Sequence, residues 1–409
     1  MNKNINATEK KSILGFGTLP TSDFTSGAAE AFSSLFTQLE NTQFKVKKIN
    51  YAKFSFAFKS HINILASTIR FLDTIYTVFA AVVLIPFYDL IYICLSRNLL
   101  FFLARDLPIV LLSKLFMKKS VAVYHGGSYF TLGLKNKLQR KIFHNLLNLL
   151  DAKIIISATF VSDYNFMKHS KLHIIQNSPP SQEFDLINKQ LCRYDYLSIS
   201  PRKNLNLLFL SNLMHEKGYL ELVDSVITLN YSYKLNVVFN LHICGSFSST
   251  FSLPKFSNHL VNLHGIHRCK TYDSIQKFIK NIDSMDSIKF YGHIDSTQKL
   301  NFLSSSDIYC LPTYYLNEGL PISAIEAMAY GMPIVGTPWK GMVDIIDENH
   351  NGFFVEPHNT SSIVHKLLQF TTNPSLLQKM GANSLLKYKE FSFSRNLQSY
   401  IKLFDSLLS

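Results

Sequence analysis

Two glutamates stand eight residues apart in the segment 312–357, and their surroundings suit the binding of a phosphorylated ligand. Glu318 lies in a loop that follows an apolar run typical of a buried strand. A helix is predicted to begin near Pro321, and its N-terminus would offer backbone N–H groups and a positive dipole end, which favour phosphate. Glu326 falls within the apolar part of that helix, where a carboxylate needs a partner, and sugar hydroxyls are one suitable kind.

The order of residues around these glutamates resembles the E-x7-E signature of retaining GT-B glycosyltransferases. More narrowly, it is similar to the glycosyltransferase family 4 type used in bacterial surface polysaccharide assembly. The matching positions are Glu318-Gly319-Leu320-Pro321, Glu326-Ala327-Met328-Ala329, Gly331-Met332-Pro333, Gly336-Thr337-Pro338, Gly341, Asp344-Ile345-Ile346 and Asn351-Gly352 with Pro357. The resemblance implies that Glu318 contacts hydroxyls of the donor sugar and that Glu326 binds the ribose. It also places Gly319, Leu320 and Pro321 in the donor-binding loop.

A second matching segment, 211–218, begins at the end of a predicted strand and contains Glu216-Lys217-Gly218. In the family, the lysine and an arginine together hold the diphosphate, whose negative charge grows as it departs. That catalytic role carries over to Lys217. Asn212 stands at the usual arginine position of the donor site, so part of the phosphate clamp lacks its cation. Either another cation substitutes or catalysis is slower.

Four further positions resemble family positions near the donor. Gly245 ends the predicted strand LHICG, and His293 follows Gly292 at the end of IKFYG, beside the nucleotide. His125 follows the predicted strand VAVY, and the resemblance gives it a catalytic place close to the donor sugar and acceptor. Gly27 opens a helix after the first predicted strand and resembles the glycine-rich loop that approaches the diphosphate, although the usual Gly-Gly pair is absent.

The sequence contains no Asp-x-Asp pair, which is the pattern that bridges a diphosphate through a metal ion. We therefore expect a metal-independent enzyme without a cofactor, in which Lys217 and the helix N-terminus meet the charge of the leaving group. The resemblance implies retention of the anomeric configuration. Because no side chain presents itself as a covalent nucleophile, our hypothesis is a front-face route, in which the departing phosphate helps to take the acceptor proton.

Apolar runs and helical patterns alternate along the chain, which predicts parallel sheets covered by helices on both faces. The predicted strands are 12–19, 89–95, 121–124, 153–157, 173–176, 207–211, 241–245, 288–292, 307–312 and 333–338. Together with the resemblance, this alternation predicts an α/β protein of GT-B type, with two doubly wound Rossmann-like domains facing a cleft. We expect an acceptor-side domain at 1–180, joined by a C-terminal helix at 391–409 that crosses back to it, and a donor-binding domain at 181–390.

Size and composition limit the classes of protein to which the chain can belong. Its 409 residues are enough for two or three domains, and 47% hydrophobic with 17% charged residues indicates a folded protein. The five cysteines are scattered, without a Cys-x-x-Cys pair, which favours a reducing compartment over a disulfide framework or a zinc site. No apolar signal core follows the polar N-terminus, so we expect a cytoplasmic protein.

Positive charge is concentrated in residues 1–180, which hold 21 Lys and Arg against 9 Asp and Glu. The uncharged segment Thr74–Tyr88 is interrupted by Pro86 and is shorter than the about 20 residues of a spanning helix. This predicts a buried or surface-docked helix, with a true membrane span as the less favoured alternative. Basic charge near an apolar helix favours peripheral attachment to an anionic membrane, here the inner face of the cell membrane. We accordingly expect a saccharide acceptor carried on a lipid pyrophosphate.

Three other classes of function fit parts of this pattern. A nucleotide-sugar epimerase or hydrolase of similar build would act without a separate acceptor, and a catalytically silent nucleotide-sugar binding protein would explain Asn212. A nucleic-acid-binding protein would explain the charge, but no helix-turn-helix, zinc pattern or aromatic RNA-binding signature is present. The expected donor is a hexose-type sugar on UDP or GDP, and no nucleic acid is expected as a partner.

Overall fold

Two six-stranded parallel sheets organise the chain, one in each of two units. The computed structural model describes residues 10–21, 26–55, 63–96, 98–126, 137–165, 168–181, 183–190, 203–246 and 286–409. The first unit comprises Met1–Ser181 together with Phe393–Ser409, and the second comprises Gln182–Ser392.

The first unit is built on a sheet with the strand order β2-β1-β3-β4-β5-β6. Its strands are β1 (Ser12–Gly17), β2 (Lys45–Asn50), β3 (Leu90–Cys94), β4 (Lys119–Tyr124), β5 (Ala152–Ile155) and β6 (Leu172–Ile174). Its helices are α1 (Gly27–Leu39), α2 (Asn63–Leu84), α3 (Leu99–Phe101), α4 (Leu107–Leu115), α5 (Lys137–Leu147) and the C-terminal α13 (Phe393–Leu408). The chain thus returns to this unit at its end, where Phe404 of α13 packs edge-on against Phe44 and Tyr92.

The second unit is built on a sheet with the strand order β12-β11-β10-β7-β8-β9. Its strands are β7 (Asn204–Leu210), β8 (Val238–Cys244), β9 (Ile288–Gly292), β10 (Ile308–Leu311), β11 (Ile334–Gly336) and β12 (Gly352–Phe354). Its helices are α6 (Glu183–Gln190), α7 (Tyr219–Ser232), α8 (Ser296–Ser305), α9 (Ile322–Ala329), α10 (Met342–Ile345), α11 (Thr360–Thr372) and α12 (Ser375–Tyr388). Strands β7 and β10 are buried apolar runs, as expected for a parallel sheet covered on both faces.

The strand order of the second sheet determines where a ligand site can form. Strand β7 lies between β8 and β10. The chain first adds β8 and β9 on one side of β7, and then adds β10, β11 and β12 on its other side. The loops that follow β7 and β10 therefore diverge at the carboxyl edge of the sheet, and doubly wound sheets bind ligands at such a point. The prediction of two doubly wound α/β domains is confirmed.

Two strands were absent from the sequence-based expectation, and both lie at a sheet edge. Strand β2 reads Lys-Val-Lys-Lys-Ile-Asn, and Lys45 and Lys47 are exposed while Val46 and Lys48 are partly buried, because successive side chains point to opposite faces of the sheet. Strand β12 has only three residues, too few to give a recognisable apolar run. The helix predicted at Thr74–Tyr88 begins earlier, at Asn63, and ends in a short 3-10 turn that contains Pro86.

The cysteines within the described residues are free thiols. Cys244 and Cys310 are buried and Cys94 is half-buried. Cys192 and Cys269 lie outside the described residues.

Candidate functional site

Lys217 and Glu318, which lie 101 residues apart in sequence, form an ion pair at the carboxyl edge of the second sheet. The Lys217 Nζ atom lies 2.9 Å from Oε1 and 2.8 Å from Oε2 of Glu318, so both carboxylate oxygens accept from one ammonium group. Both side chains are largely buried, with 12% and 6% of their surface exposed. The pair therefore brings together Lys217, which the resemblance assigned to the diphosphate, and Glu318, which it assigned to the sugar of the same donor.

The loop that carries Glu318 is fixed by hydrogen bonds from side chains on both of its flanks. The Thr313 hydroxyl donates to Oε2 of Glu318 at 2.7 Å. The Trp339 indole N–H donates to the Tyr315 carbonyl at 2.8 Å, and the Thr337 hydroxyl donates to the Thr313 carbonyl. These contacts connect the loop after β10 to the loop after β11 and leave the Glu318 carboxylate little freedom to turn.

Gly218 fixes the direction of the short helical turn that carries Lys217. It adopts the left-handed conformation, with φ at 78°, and a Cβ atom there would lie 2.2 Å from the Pro312 carbonyl oxygen. Only glycine meets both conditions, since other residues disfavour this φ and no side chain fits against the backbone. The close approach of Gly218 to Pro312 holds the Lys217 turn against the strand end that leads to Glu318.

We expect Gly218→Ala to lower the free energy of unfolding by about 2 kcal/mol more than Gly292→Ala does. Both glycines have positive φ, 78° and 66°, but a Cβ at Gly292 meets nothing within 4 Å. Each variant therefore incurs the same backbone penalty, and only Gly218→Ala adds the clash with Pro312. Urea denaturation of the two purified variants measures the difference, and equal losses would contradict the role given to the close approach.

Glu326 is buried on α9 with 2% of its surface exposed, and it already has a partner of opposite charge. The Lys299 ammonium on α8 lies 2.7 Å from Oε1 of Glu326. The sequence suggested ligand hydroxyls as partners for the buried Glu326 carboxylate. In the structure Lys299, which the sequence analysis did not identify, already offsets part of the cost of burying this charge. Burial raises the pKa of Tyr309, and the negative charges of Glu318 and Glu326 add to that shift.

Other predicted donor-site residues lie at the same edge of the second sheet. Asn212 is exposed after β7, and its neighbour Leu213 donates to the Ser246 carbonyl at 2.8 Å. A Cβ atom at Gly245 would lie 1.8 Å from the Ser211 carbonyl oxygen, so this glycine permits close packing of the two loops. His293 is exposed just after β9.

Residues 319–321 connect Glu318 to the helix α9. The backbone of Gly319 and Leu320 packs against Gly341, where a Cβ would lie 2.2 Å from the Gly319 carbonyl oxygen. Leu320 is buried. Pro321 is the residue before the first helical position rather than the first one, since α9 begins at Ile322. The helix N-terminus nevertheless starts four residues after Glu318, as the sequence predicted.

His125 and Gly27 belong to the first unit. His125 follows β4, and its Nδ1–H donates to the Asn177 side-chain oxygen at 3.2 Å. Burial lowers the pKa of His125 to about 4, so the ring is neutral at pH 7 and its Nε2 carries a lone pair. This Nε2 atom has no hydrogen-bond partner among the described residues, which omit 127–136. It can accept a hydrogen bond from a hydroxyl group, whereas Gly27 is simply the exposed first residue of α1.

A cluster of two histidines and a glutamate adjoins the Lys217 turn and was not predicted. Ligand atoms of His215, Glu221 and His358 lie within 4.8 Å of one another, the one such group found among the described ranges. The Tyr314 hydroxyl donates to Oε1 of Glu221 at 3.1 Å, and its ring lies 3.6 Å from that of His358. Burial lowers the pKa of His215 and favours its neutral form. The cluster is chemically able to hold a divalent ion, and its contacts fix Tyr314 beside Thr313 of the Glu318 loop.

The sequence match to a known protein family lies in the second unit. Residues 198–386 match the family model of Glycosyl transferases group 1. An uncharacterized glycosyltransferase of Haemophilus influenzae is 32% identical over 130 residues, which cover 31% of this chain and 35% of that protein. The match thus spans about a third of the length of this curated relative.

Two solved structures align over nearly the whole chain. The sucrose-phosphate synthase of Thermosynechococcus elongatus aligns with a TM-score of 0.66 at 14% identity, over 97% of this chain and 99% of that one. The Anabaena protein HepE in complex with UDP and glucose aligns with a TM-score of 0.62 at 15% identity, over 97% and 100%. At such identities the likeness shows the fold alone, and it confirms the GT-B fold.

Proposed function

We propose that this protein transfers a hexose-type sugar from a UDP- or GDP-linked donor. Two findings support a glycosyltransferase: residues 198–386 match the glycosyl transferases group 1, and the chain has a GT-B fold. The observation that carries the proposal is the distance of 2.8 Å between Lys217 and Glu318 at the switch point of the second sheet. Diphosphate and sugar are adjoining parts of one donor, so a cation for the first and a carboxylate for the second must lie side by side. HepE, of the same fold, is described in complex with UDP and glucose, which supports a nucleotide sugar as donor.

In the proposed reaction, the bond between the anomeric carbon and the diphosphate oxygen breaks while the acceptor oxygen bonds to the same carbon on the same face. The acceptor proton passes to the departing phosphate oxygen, so the configuration is retained without a covalent enzyme intermediate. Lys217 and the N-terminus of α9 stabilise the negative charge that develops on the phosphate. Glu318 orients the sugar through its hydroxyl groups.

The remaining residues are assigned to neighbouring parts of the donor. Glu326, with Lys299 beside it at 2.7 Å, accepts the ribose hydroxyls. Gly245 and His293 lie along the nucleotide, and the neutral His125 accepts a hydrogen bond from a sugar hydroxyl. Asn212 contributes a hydrogen bond without charge at the diphosphate.

We place the proposed acceptor, a saccharide on a lipid pyrophosphate, at the inner face of the cell membrane. The enzyme would be a cytoplasmic, peripheral membrane protein of the family 4 type in surface polysaccharide or O-antigen-like biosynthesis. The concentration of positive charge in the first 180 residues, 21 Lys and Arg against 9 Asp and Glu, supports attraction to anionic lipids and phosphorylated acceptors.

We expect one of a panel of UDP- and GDP-sugars to bind the purified protein by calorimetry. With a saccharide lipid present to accept the sugar, we expect this donor to release its nucleoside diphosphate at the same rate with and without EDTA. Charge stabilisation by Lys217 and a helix N-terminus needs no metal ion. A rate that falls in EDTA and returns on addition of a divalent ion would contradict metal independence and direct attention to the His215 cluster.

The same panel separates the proposal from its alternatives. Transfer of labelled sugar to a saccharide lipid supports glycosyl transfer, whereas an epimerised or hydrolysed donor without transfer indicates an epimerase or hydrolase. Tight binding without any turnover would indicate a silent binding protein, as expected if Asn212 leaves the phosphate clamp too weak. Binding by none of the donors would overturn the proposed function.

A further inference from the structure

Between residues 71 and 84, helix α2 turns its polar residues towards the body of the first unit. Asp73 is buried, and its carboxylate accepts from the Phe54 N–H at 2.7 Å and the Ser55 N–H at 3.1 Å. Thr77 is fully buried, and its hydroxyl donates to the Asp73 carbonyl at 2.8 Å. The Asp73 carboxylate therefore attaches this helix to the rest of the unit. Most of the buried residues of α2 are polar or small (Asp73, Thr74, Thr77, Ala80 and Ala81), which is the reverse of an ordinary surface helix.

The opposite side of α2 exposes large apolar side chains. Phe79 and Phe87 are 66% and 77% exposed, and they continue a stripe spaced by three, four or eight residues along the helix. The exposed members of the stripe, including the 3-10 turn that follows α2, are Phe71, Leu72, Ile75, Phe79, Val82, Val83 and Phe87. In water this orientation costs free energy, since each of these side chains would gain by burial against another surface.

The neighbouring segment from α3 to α4 enlarges this apolar surface. Helix α2 packs against α4 and against the π-helical turn Phe102–Asp106 that joins α3 to α4. Exposed apolar residues continue there at Leu100, Leu103, Leu111, Leu115 and Met117, the last of which is 90% exposed. We call the outward residues of α2 and of 100–117 together the apolar face. Isolated exposed apolar residues are ordinary, but a group of this size marks an interaction surface.

Basic residues border the apolar face. Lys53 lies 4.1 Å from the centre of the Tyr76 ring on α2, and exposed Arg70 directly precedes Phe71. Lys118 and Lys119 directly follow Met117. The Asp73 and Asp106 carboxylates are buried behind the face, so they add no accessible acid to it. Apolar residues within a basic border match the acyl chains and anionic headgroups of a lipid bilayer.

We propose that the apolar face inserts into the surface of an anionic lipid bilayer, with Phe71, Phe79 and Phe87 among the acyl chains and the basic border at the headgroups. A protein partner fits less well, because protein interfaces carry about one hydrogen bond per 100–200 Å² and the exposed residues of the stripe offer no polar side chain. The proposal rests on the proposed function, which already places the protein at the membrane, and deepens it by naming the surface that contacts the lipid. It also attributes membrane binding to insertion of apolar side chains, and not to the positive charge of the first 180 residues alone.

The helix lies in the membrane surface rather than across it in this proposal. Ser67–Phe87 is long and apolar enough to cross a bilayer, a test that core helices of soluble proteins also pass, and 39% of it is buried in the protein. To span a membrane, α2 would have to separate from the unit and break the hydrogen bonds between the Asp73 carboxylate and the N–H groups of Phe54 and Ser55. An unpaired carboxylate in the hydrocarbon would be costly.

The test is sedimentation with vesicles of phosphatidylcholine and phosphatidylglycerol, with neither donor nor acceptor present. We expect binding to persist between about 0.1 M and about 1 M salt, although the Debye length falls from about 10 Å to about 3 Å. The triple variant Phe71→Ser, Phe79→Ser and Phe87→Ser should lower the partition constant at least about a hundredfold. The matched control replaces Tyr231 and Leu386, exposed apolar residues of the second unit, by Ser and should bind as wild type does.

A spectroscopic measurement reports insertion directly. Trp339 is the only tryptophan of the chain, so Phe79→Trp adds a single reporter on the apolar face. We expect lipids brominated on their acyl chains to quench this variant strongly, and to quench Leu386→Trp no more than wild type.

Four results would overturn the proposal. The triple variant could bind vesicles as wild type does, or binding could disappear at high salt, which would indicate charge attraction alone. The wild-type chain could instead self-associate through Phe79 without binding vesicles, which would assign the face to a second copy. Retention of membrane-bound protein after alkaline carbonate washing would indicate a spanning helix. Because no sugar transfer is measured, failure here is distinct from failure of the proposed function.

Discussion

Replacing Glu318 by Gln is expected to lower donor turnover by about a hundred- to a thousandfold, the loss seen when one preorganised polar contact to a reacting group is removed. The Gln side chain keeps the volume of Glu318 and can still accept from the Thr313 hydroxyl. It no longer provides a charged acceptor for the sugar hydroxyls, so the donor loses its orientation. Release of nucleoside diphosphate from the donor identified by the panel measures the effect.

The stability of the Glu318→Gln variant separates a role in the reaction from a role in the fold. We expect the free energy of unfolding to fall by only about 1–2 kcal/mol, because a neutral acceptor remains beside Lys217. Glu390→Gln is the matched control, since Glu390 is exposed and pairs with Lys387 on the surface of the same unit. Unchanged turnover in Glu318→Gln, with the control also unchanged, would refute the role given to Glu318.

Much of the second unit could be predicted from sequence because its strands are buried on both faces. The runs at 207–210 and 308–311 are apolar throughout, and buried parallel strands have that pattern. The glutamates also followed from local signals, since a loop, a proline and an apolar helix succeed one another within a few residues. Those signals placed Glu318 in the loop between a strand and a helix and Glu326 inside that helix, and the structure has both there.

The contacts that complete the site could not be predicted in the same way. Lys299 and Glu326 are separated by 27 residues and lie on different helices, so their ion pair depends on how α8 and α9 pack. Likewise the cluster around Glu221 draws on residues up to 143 positions apart, from His215 to His358. No local pattern encodes such contacts, because tertiary packing alone brings the residues together.

The orientation of α2 illustrates a different limit. Its uncharged sequence indicated a helix docked on or buried in the protein, which left open which side faces outwards. The buried Asp73 decides the matter, since two backbone N–H groups of residues 54 and 55 bind its carboxylate. The apolar side of a helix normally faces the protein core. For α2 this rule predicts the wrong orientation, because its apolar stripe faces outwards, where we propose that it contacts lipid.

Lys217→Met should weaken the binding of the nucleoside diphosphate alone by about ten- to a hundredfold, whereas Glu318→Gln should leave it nearly unchanged. A hydrogen bond to a charged group contributes about 1.5–3 kcal/mol, and Lys217 is assigned to the diphosphate while Glu318 is assigned to the sugar. The product nucleotide lacks the sugar, so it reports on Lys217 only. Calorimetry with UDP or GDP measures both affinities.

The same variants test whether the two residues stabilise each other in the absence of the donor. Lys217→Met leaves the buried Glu318 carboxylate without its cation, and we expect a loss of about 3 kcal/mol in the free energy of unfolding. Adding Glu318→Gln to Lys217→Met should recover about 2 kcal/mol of that loss, since no buried charge then remains unpaired. Recovery of stability without recovery of nucleotide affinity would separate the ion pair, which belongs to the fold, from the diphosphate contact, which belongs to the reaction. Equal loss of nucleotide affinity in Lys217→Met and Glu318→Gln would contradict that separation, because it would mean that the carboxylate acts on the phosphates through the lysine instead of on the sugar.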